Sequence, residues 1–322
     1  MKALVLGGSG HVGAALTREL LARGHGVTAT GRRARPAALE GLPVAYHRGD
    51  DRHPGTLGRW ARGADLIFDA AAPYPLEAFA GGDAVVERAR RRTRELLAAA
   101  RGIPLGCVGS FVTRVEPARG PSGWAAGAGR LLHPYFRVKE AVEELLVEAA
   151  ASGAPVAGVH PATCLGPWDS RPASEALLPR LVRGEVAFVA ADRVGIVDVR
   201  DVAAALVNAV EAERFGRPHL LVGHRVEVAE VARRACAIAG VRPPTLRLPA
   251  AWTVGPAWWL EATLTAWGCR SAGSALVPLL VAAQAGLPER GDEAALGVEP
   301  RSLDRTLADA MAWYGEHPAA SR

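Results

Sequence analysis

Lys2-Ala3-Leu4-Val5-Leu6-Gly7-Gly8-Ser9-Gly10-His11-Val12-Gly13 opens the chain, and how this stretch reads decides the fold. Lys2 to Leu6 is an apolar run of buried-strand length, and Gly7-x-x-Gly10-x-x-Gly13 follows it without a gap. A helix pattern begins at once, with Val12, Leu16 and Leu20 on one face and Gly24 as its stop. That glycine spacing lets a backbone turn tightly and approach a pyrophosphate, whose charge is favoured by the free N–H groups of a helix start. Gly7, Gly10, His11, Val12 and Gly13 are therefore the expected cofactor contacts. Among 36 glycines the spacing alone arises by chance about 0.4 times. Its position between the first strand and the first helix carries the argument.

Outward from this turn, strand patterns recur at 27–30, 44–46, 66–70, 103–108 and 156–159. Helical patterns fill the intervals, notably 85–100 and 134–151. Alternating strands and helices predict an α/β fold, a doubly wound parallel sheet covered on both faces. After Pro161 the rhythm loosens into helices near 175–182, 199–212 and 226–239, with strands near 195–197 and 219–222. The predicted division is a dinucleotide-binding domain over 1–161 and a smaller mixed α/β substrate lobe over 162–322, with strands returning to the first sheet. At 322 residues the chain is long enough for both.

The end of the second strand selects the cofactor. An NAD site usually places Asp or Glu there for the ribose 2′-hydroxyl. Here the chain reads Thr30-Gly31-Arg32-Arg33, without a carboxylate. Arg32 and Arg33 are placed to pair with a 2′-phosphate through charge-assisted bonds, so NADP(H) is expected.

Of 38 basic residues only Lys2 and Lys139 are lysine. Where arginine is the default, a retained lysine points to a need for its compact, tunable ammonium. Lys139 stands four residues after Tyr135, on the same face of a helix. The arginine-rich run of Arg88, Arg90, Arg91, Arg92 and Arg94 reads as a solvated helix face or subunit contact. It has no interleaved aromatics, and no nucleic-acid partner is expected. Cys107, Cys164, Cys236 and Cys269 form no close pair, so neither a metal site nor a disulfide framework is expected, and a reducing cytoplasm fits. Residues 249–268 are very apolar but interrupted by Pro256 and Glu261, which predicts a buried or lid helix and no membrane partner.

Together these residues resemble the extended short-chain dehydrogenase/reductase superfamily, the NAD-dependent epimerase/dehydratase-like group, and within it the dihydroflavonol-reductase-like branch. The resemblance runs from the glycine turn through Arg48-Gly49-Asp50, Asp69-Ala70-Ala71-Ala72, Tyr135 and Lys139. It continues through His160-Pro161-Ala162-Thr163-Cys164-Leu165-Gly166-Pro167-Trp168-Asp169, residues 197–203 and residues 296–302. It implies a Rossmann fold, Asp50 near the adenine, and the backbone of Ala70, Ala71 and Ala72 along the cofactor. It also implies cofactor contacts from Tyr135, Lys139, His160 and Pro161. A serine or threonine ending the fifth strand completes the family's catalytic set: Ser110 is the candidate and Thr113 the fallback. Two departures stand out. Ala89 occupies a place where many relatives carry asparagine, and His160 one where they carry Arg or Asn.

In such a site hydride reaches a carbonyl carbon, Tyr135 supplies the proton and Ser110 hydrogen-bonds the oxygen. One charge about 5 Å away would lower a tyrosine pKa by roughly two units, so Lys139 is expected to lower that of Tyr135. The expected activity is that of an NAD(P)-dependent oxidoreductase, an NADPH-dependent reductase of a ketone or aldehyde. Alternatives are an epimerase, dehydratase or isomerase that retains its nicotinamide, and a non-catalytic NADP-sensing regulator. Trp168, Trp252, Trp258, Trp259 and Trp267 are candidates to line an apolar or aromatic substrate pocket or to fill core. A homodimer is allowed.

Overall fold

The computed structural model describes residues 1–79, 82–116, 118–170, 177–269 and 275–317. Its first half alternates regularly: β1 (Lys2–Leu6), α1 (His11–Ala22), β2 (Gly26–Gly31), β3 (Ala45–Arg48), α2 (Thr56–Trp60), β4 (Leu66–Asp69), α3 (Gly82–Ala99) and β5 (Leu105–Val108). Two helices, α4 (Pro121–Leu132) and α5 (Pro134–Ala151), precede β6 (Val156–Pro161). The second half contains β7 (Thr163–Leu165), α6 (Leu177–Val182), β8 (Phe188–Ala190), β9 (Arg193–Asp198), α7 (Val199–Glu211), β10 (Pro218–Leu221) and β11 (His224–Glu227). It ends with α8 (Val228–Ala239), β12 (Leu246–Leu248), α9 (Ala250–Ala266), α10 (Leu276–Ala283) and α11 (Leu303–Glu316). Residue 175, where the sequence pattern starts a helix, lies outside the described residues, as do residues 80 and 81.

Seven parallel strands form the main sheet in the order β10-β6-β5-β4-β1-β2-β3. Both faces are buried, so alternate side chains enter different cores. Ala3 and Val5 of β1 pack with Leu16 and Leu20 of α1 and with Val202 and Leu206 of α7. Leu4 and Leu6 pack on the opposite side with Leu96 of α3 and Val138 and Val142 of α5. Because β10 and α7 complete this sheet and its covering layer, the dinucleotide-type unit draws on residues well beyond 161. A three-stranded sheet, β11-β9-β7, and the pair β12-β8 belong to the smaller lobe.

The strand order reverses between β1 and β4. Open α/β sheets bind ligands at this switch point. The glycine turn lies in it for steric reasons. Gly7 has φ 73, and a Cβ there would stand 2.8 Å from the Ala70 carbonyl oxygen. A Cβ on Gly13 would meet the Gly7 carbonyl oxygen at 2.1 Å. Only glycine allows β1, the start of α1 and the end of β4 to approach this closely.

Candidate active site

The ends of β1, β2, β4, β5 and β6, together with α1 and α5, carry the candidate site residues. Gly10 caps α1 without a side-chain cap, so the first N–H groups of that helix have no intrahelical acceptor. The Ala70 and Ala71 backbone lies directly against Gly7, with the Ala71 N–H donating to Asp69 Oδ1 at 3.0 Å. This narrow backbone trough, lined by glycine and alanine and ending at a helix start, fits a dinucleotide pyrophosphate.

At the end of β2 the two arginines differ. Arg33 Nη1 donates to the Ser9 carbonyl at 2.9 Å and to Ser170 Oγ at 2.7 Å, and Nη2 donates to the Ser170 carbonyl at 2.7 Å. Its guanidinium clamps the glycine turn to the 163–170 segment. The hydroxyl of Tyr46 donates to the Arg33 carbonyl at 2.8 Å and Arg48 Nε to the Arg32 carbonyl at 3.3 Å. These bonds fix the backbone of the corner, while the side chain of Arg32 remains exposed. Asp50 accepts from Arg52 Nε at 2.9 and 3.0 Å, and that guanidinium holds its carboxyl well below the usual range.

Ser110, just past β5, and Tyr135, in the first turn of α5, share a hydrogen bond of 2.8 Å between their hydroxyls, and both are buried. Thr113 instead turns its hydroxyl back to the Ser110 carbonyl at 3.0 Å, which leaves Ser110 as the partner. His133 caps α5 by accepting the Tyr135 N–H on Nδ1 at 3.1 Å. Burial lowers this imidazole to about 4, so it stays neutral. Lys139 lies one turn beyond Tyr135, with Nζ 5.8 Å from the ring centroid.

The sequence predicted that Lys139 would lower the Tyr135 pKa; in the structure the net direction is upward. Burial, then the neighbouring Tyr74, push the Tyr135 phenol well above its ordinary value, and the Ser110 hydrogen bond only partly counters them. Burial dominates because both hydroxyls face protein rather than water. Lys139 is lowered to about 8, chiefly by burial, with Asp69 opposing.

A buried ion network lies beneath the lysine, and the sequence reading missed it. Arg92, expected on a solvated face, is 3 % exposed. It donates to both Asp69 oxygens at 2.8 Å and to Asp51 Oδ2 at 2.7 Å. Its neighbour one turn earlier, Ala89, is fully buried, so α3 turns this face inward toward the strand end. His160 likewise turns inward: its Nε2 lies 2.7 Å from Glu143 Oε2, and its ring fills the space a Gly109 side chain would need. The ring is thus engaged with Glu143 of α5.

The segment after β4 folds over the tyrosine. Tyr74 packs edge-on against Tyr135 with centroids 4.8 Å apart, and Phe79 does so on Trp258 at 5.8 Å. Trp258 also meets His133 at 6.2 Å, so aromatic side chains form the wall beside the hydroxyl pair. The segment is anchored by Glu261, the one charged residue of α9 and fully buried. Its carboxylate accepts the Ala78 N–H at 2.5 Å and the Ala275 N–H at 3.0 Å. Glu261→Ala leaves two buried donors unpaired, each costing about 1–3 kcal/mol. We expect a lower melting temperature and early protease cleavage within 73–79, read by limited proteolysis. Unchanged cleavage would remove Glu261 as the anchor.

Trp168, on the far side of the site, lies under the Arg18 guanidinium at 4.3 Å, and Trp252, Trp259 and Trp267 are exposed. Of the five tryptophans singled out in the second lobe, Trp258 is the one packed beside the catalytic candidates.

Comparison with known proteins matches residues 3–223 to the family described as NAD dependent epimerase/dehydratase. A Synechocystis protein provisionally named a dihydroflavonol 4-reductase is 27% identical over 326 residues, covering 97% of this chain and 94% of its own. Sterol demethylase protein B of Methylococcus capsulatus is 28% identical over 338 residues, covering 98% and 99%. Among solved structures, the UDP-glucose-4-epimerase of Stenotrophomonas maltophila, determined with bound NAD, superposes with a TM-score of 0.70. It is 19% identical, and the match covers all of both chains.

Proposed function

The chain belongs to the NAD dependent epimerase/dehydratase family, and from that membership we propose that it reduces a ketone or aldehyde to an alcohol with NADPH. The observation that carries this reading is the buried Ser110–Tyr135 hydroxyl pair at 2.8 Å, one turn from Lys139 and at the sheet's switch point. Bound reduced nicotinamide would supply the hydride. Tyr135, whose proton is held firmly at neutral pH, donates that proton as charge grows on the carbonyl oxygen, and Ser110 hydrogen-bonds the same oxygen. Lys139, with a pKa near 8, is mostly charged at pH 7 and stabilises the tyrosinate that forms. Aromatic neighbours at Tyr74, Phe79 and Trp258 favour an apolar or aromatic substrate, and the sterol-linked name of one relative fits that class.

The carboxylate-free corner at Thr30-Gly31-Arg32-Arg33 favours NADP(H) over NAD(H). Arg32 is the residue left to reach a 2′-phosphate, since Arg33 is committed to Ser9 and Ser170. A charge-assisted bond of about 1.5–3 kcal/mol corresponds to roughly a ten- to hundredfold preference. We expect fluorescence titration to show tighter binding of NADPH than NADH, with Arg32→Ala erasing the difference and leaving NADH affinity unchanged. Tighter NADH binding by the unaltered protein would overturn the cofactor assignment.

A second reading, epimerase or dehydratase chemistry with retained nicotinamide, is favoured by the structural likeness to a sugar-nucleotide epimerase. The two part on stoichiometry. A reductase consumes one NADPH per alcohol formed from an aromatic ketone panel, whereas an epimerase consumes none.

A further inference from the structure

Each reduction takes up one proton along with the hydride, so Tyr135 must regain what it donates. Tyr135, Ser110 and Lys139 are all buried, and the source of that proton lies beyond them. The charged groups that act on Lys139 are Asp69, Arg92 and Glu143. Asp69 has both oxygens bonded to Arg92, and a guanidinium does not release its proton. Glu143 remains, one turn after Lys139 on the same face of α5.

Glu143 Oε2 lies 2.7 Å from His160 Nε2. An ionised carboxylate only accepts, so Nε2 carries the hydrogen and Nδ1 is the acceptor. His160 is 2% exposed, and its Nδ1 has no partner among the described residues. Two glycines make room for this ring: a Cβ on Gly109 would meet Nε2 at 2.4 Å, and one on Gly158 would meet Cε1 at 3.2 Å. The pair lines a cleft between α5 and the start of β10. Val147 and Arg217 line it too and are exposed, so the cleft runs from solvent to the buried imidazole. Its volume of about 30 Å³ holds roughly one or two waters.

We propose that the Glu143–His160 pair is the proton route between this cleft and Lys139. Water in the cleft protonates Nδ1, and Nε2 passes its proton to Glu143. Glu143 hands it to Lys139 as the ammonium reprotonates the tyrosinate. One proton enters from solvent per alcohol formed, and cleft water returns the imidazole to its starting tautomer. Glu143 stays ionised between turnovers. Burial raises its pKa, but the His160 hydrogen bond, Arg114 at 3.6 Å and Lys139 bring it below the ordinary value. The other groups facing the pair do not compete. Burial raises the Cys107 thiol and lowers the neighbouring His219 imidazole, so one keeps its proton and the other stays neutral. Arg114 and Arg217 retain theirs. Glu143 and His160 act through Lys139, and their role rests on the proposed reading of Tyr135 as proton donor.

The test follows Tyr135 itself. A pH jump on the full chain loaded with NADP⁺ is monitored by stopped-flow tyrosinate absorbance, with Tyr135→Phe as the blank. Ionisation should slow at least about tenfold in Glu143→Gln and in His160→Ala. Imidazole, which titrates near neutrality, should restore His160→Ala. Pyrazole, a ring of the same size that does not, should leave it slow, whereas a merely structural histidine would be replaced by either. Circular dichroism and cofactor titration check folding, and Glu143→Gln alone decides if His160→Ala fails that check. Unchanged rates in Glu143→Gln, or equal rescue by pyrazole, overturn the proposal. NADPH consumption on the ketone panel is measured alongside. Slowed ionisation without turnover sinks the reductase reading and leaves the proton route in place; turnover with unchanged ionisation does the reverse.

Discussion

Tyr135→Phe lowers turnover at least a hundredfold while leaving nicotinamide-cofactor binding within a few-fold of the original, measured by NADPH consumption and fluorescence titration. The substitution removes one oxygen from a buried ring that Tyr74, Phe136 and the α5 packing continue to hold, so the fold survives. What disappears is the proton donor, and a positioned acid contributes typically 10²–10⁴-fold. In the proposed reaction Ser110 does not replace it, since its hydroxyl is assigned to orienting the oxygen. The pH profile adds a second readout. Burial brings Lys139 to about 8, and the mechanism requires its ammonium. Activity of the free enzyme therefore falls as pH rises through that value. Near-normal turnover in Tyr135→Phe would remove the tyrosine from the acid role.

Arg92→Met destabilises the fold by about 3–5 kcal/mol, because it strips the buried Asp69 of both charge-assisted hydrogen bonds and leaves Lys139 as its nearby positive charge. For a domain of this size that corresponds to a melting shift on the order of 10 °C. The double variant Arg92→Met/Asp69→Leu recovers most of the loss, since replacing both members of a buried pair by apolar groups is often near neutral. The sign of the pH dependence follows from Asp69. Burial alone would raise its pKa, but the charge and two hydrogen bonds of Arg92 more than offset this, and the folded pKa lies below the ordinary one. Its contribution is present above the unfolded pKa of about 3.9 and is lost as pH falls through the folded value. In Arg92→Met the same carboxyl is raised instead and takes up a proton more readily. The stability gap between the two proteins is therefore widest near neutrality and narrows in acid. Equal thermal stability at pH 7 would show that Asp69 finds another partner or water.

Residues close in sequence were the legible ones. β1, its glycine turn and α1 need no partner beyond Ala70 to be recognised, and Tyr135 and Lys139 are one turn apart on a helix whose bounds the pattern matched at 134–151. α4 was not anticipated, because three interior glycines at 123, 127 and 129 weaken its helical pattern. Its order comes from packing: the Gly129 position faces the Phe136 ring and Leu279.

By itself the sequence determined the parallel α/β sheet, the glycine cradle, the carboxylate-free corner at Arg32 and the Tyr135–Lys139 pair. Each is set by local backbone geometry or by a spacing of a few residues. Tertiary structure alone decided the rest. Arg92 is a buried partner of Asp69 across 23 residues, and Glu261 anchors Ala78 across 183. Burial is the largest influence on the proton affinity of Tyr135, and of the second-lobe tryptophans Trp258 packs beside His133 while Trp252, Trp259 and Trp267 are exposed. Charge in a sequence is a property of residue type, but its cost and its effect depend on how much water remains around it, and only the packing of distant segments fixes that.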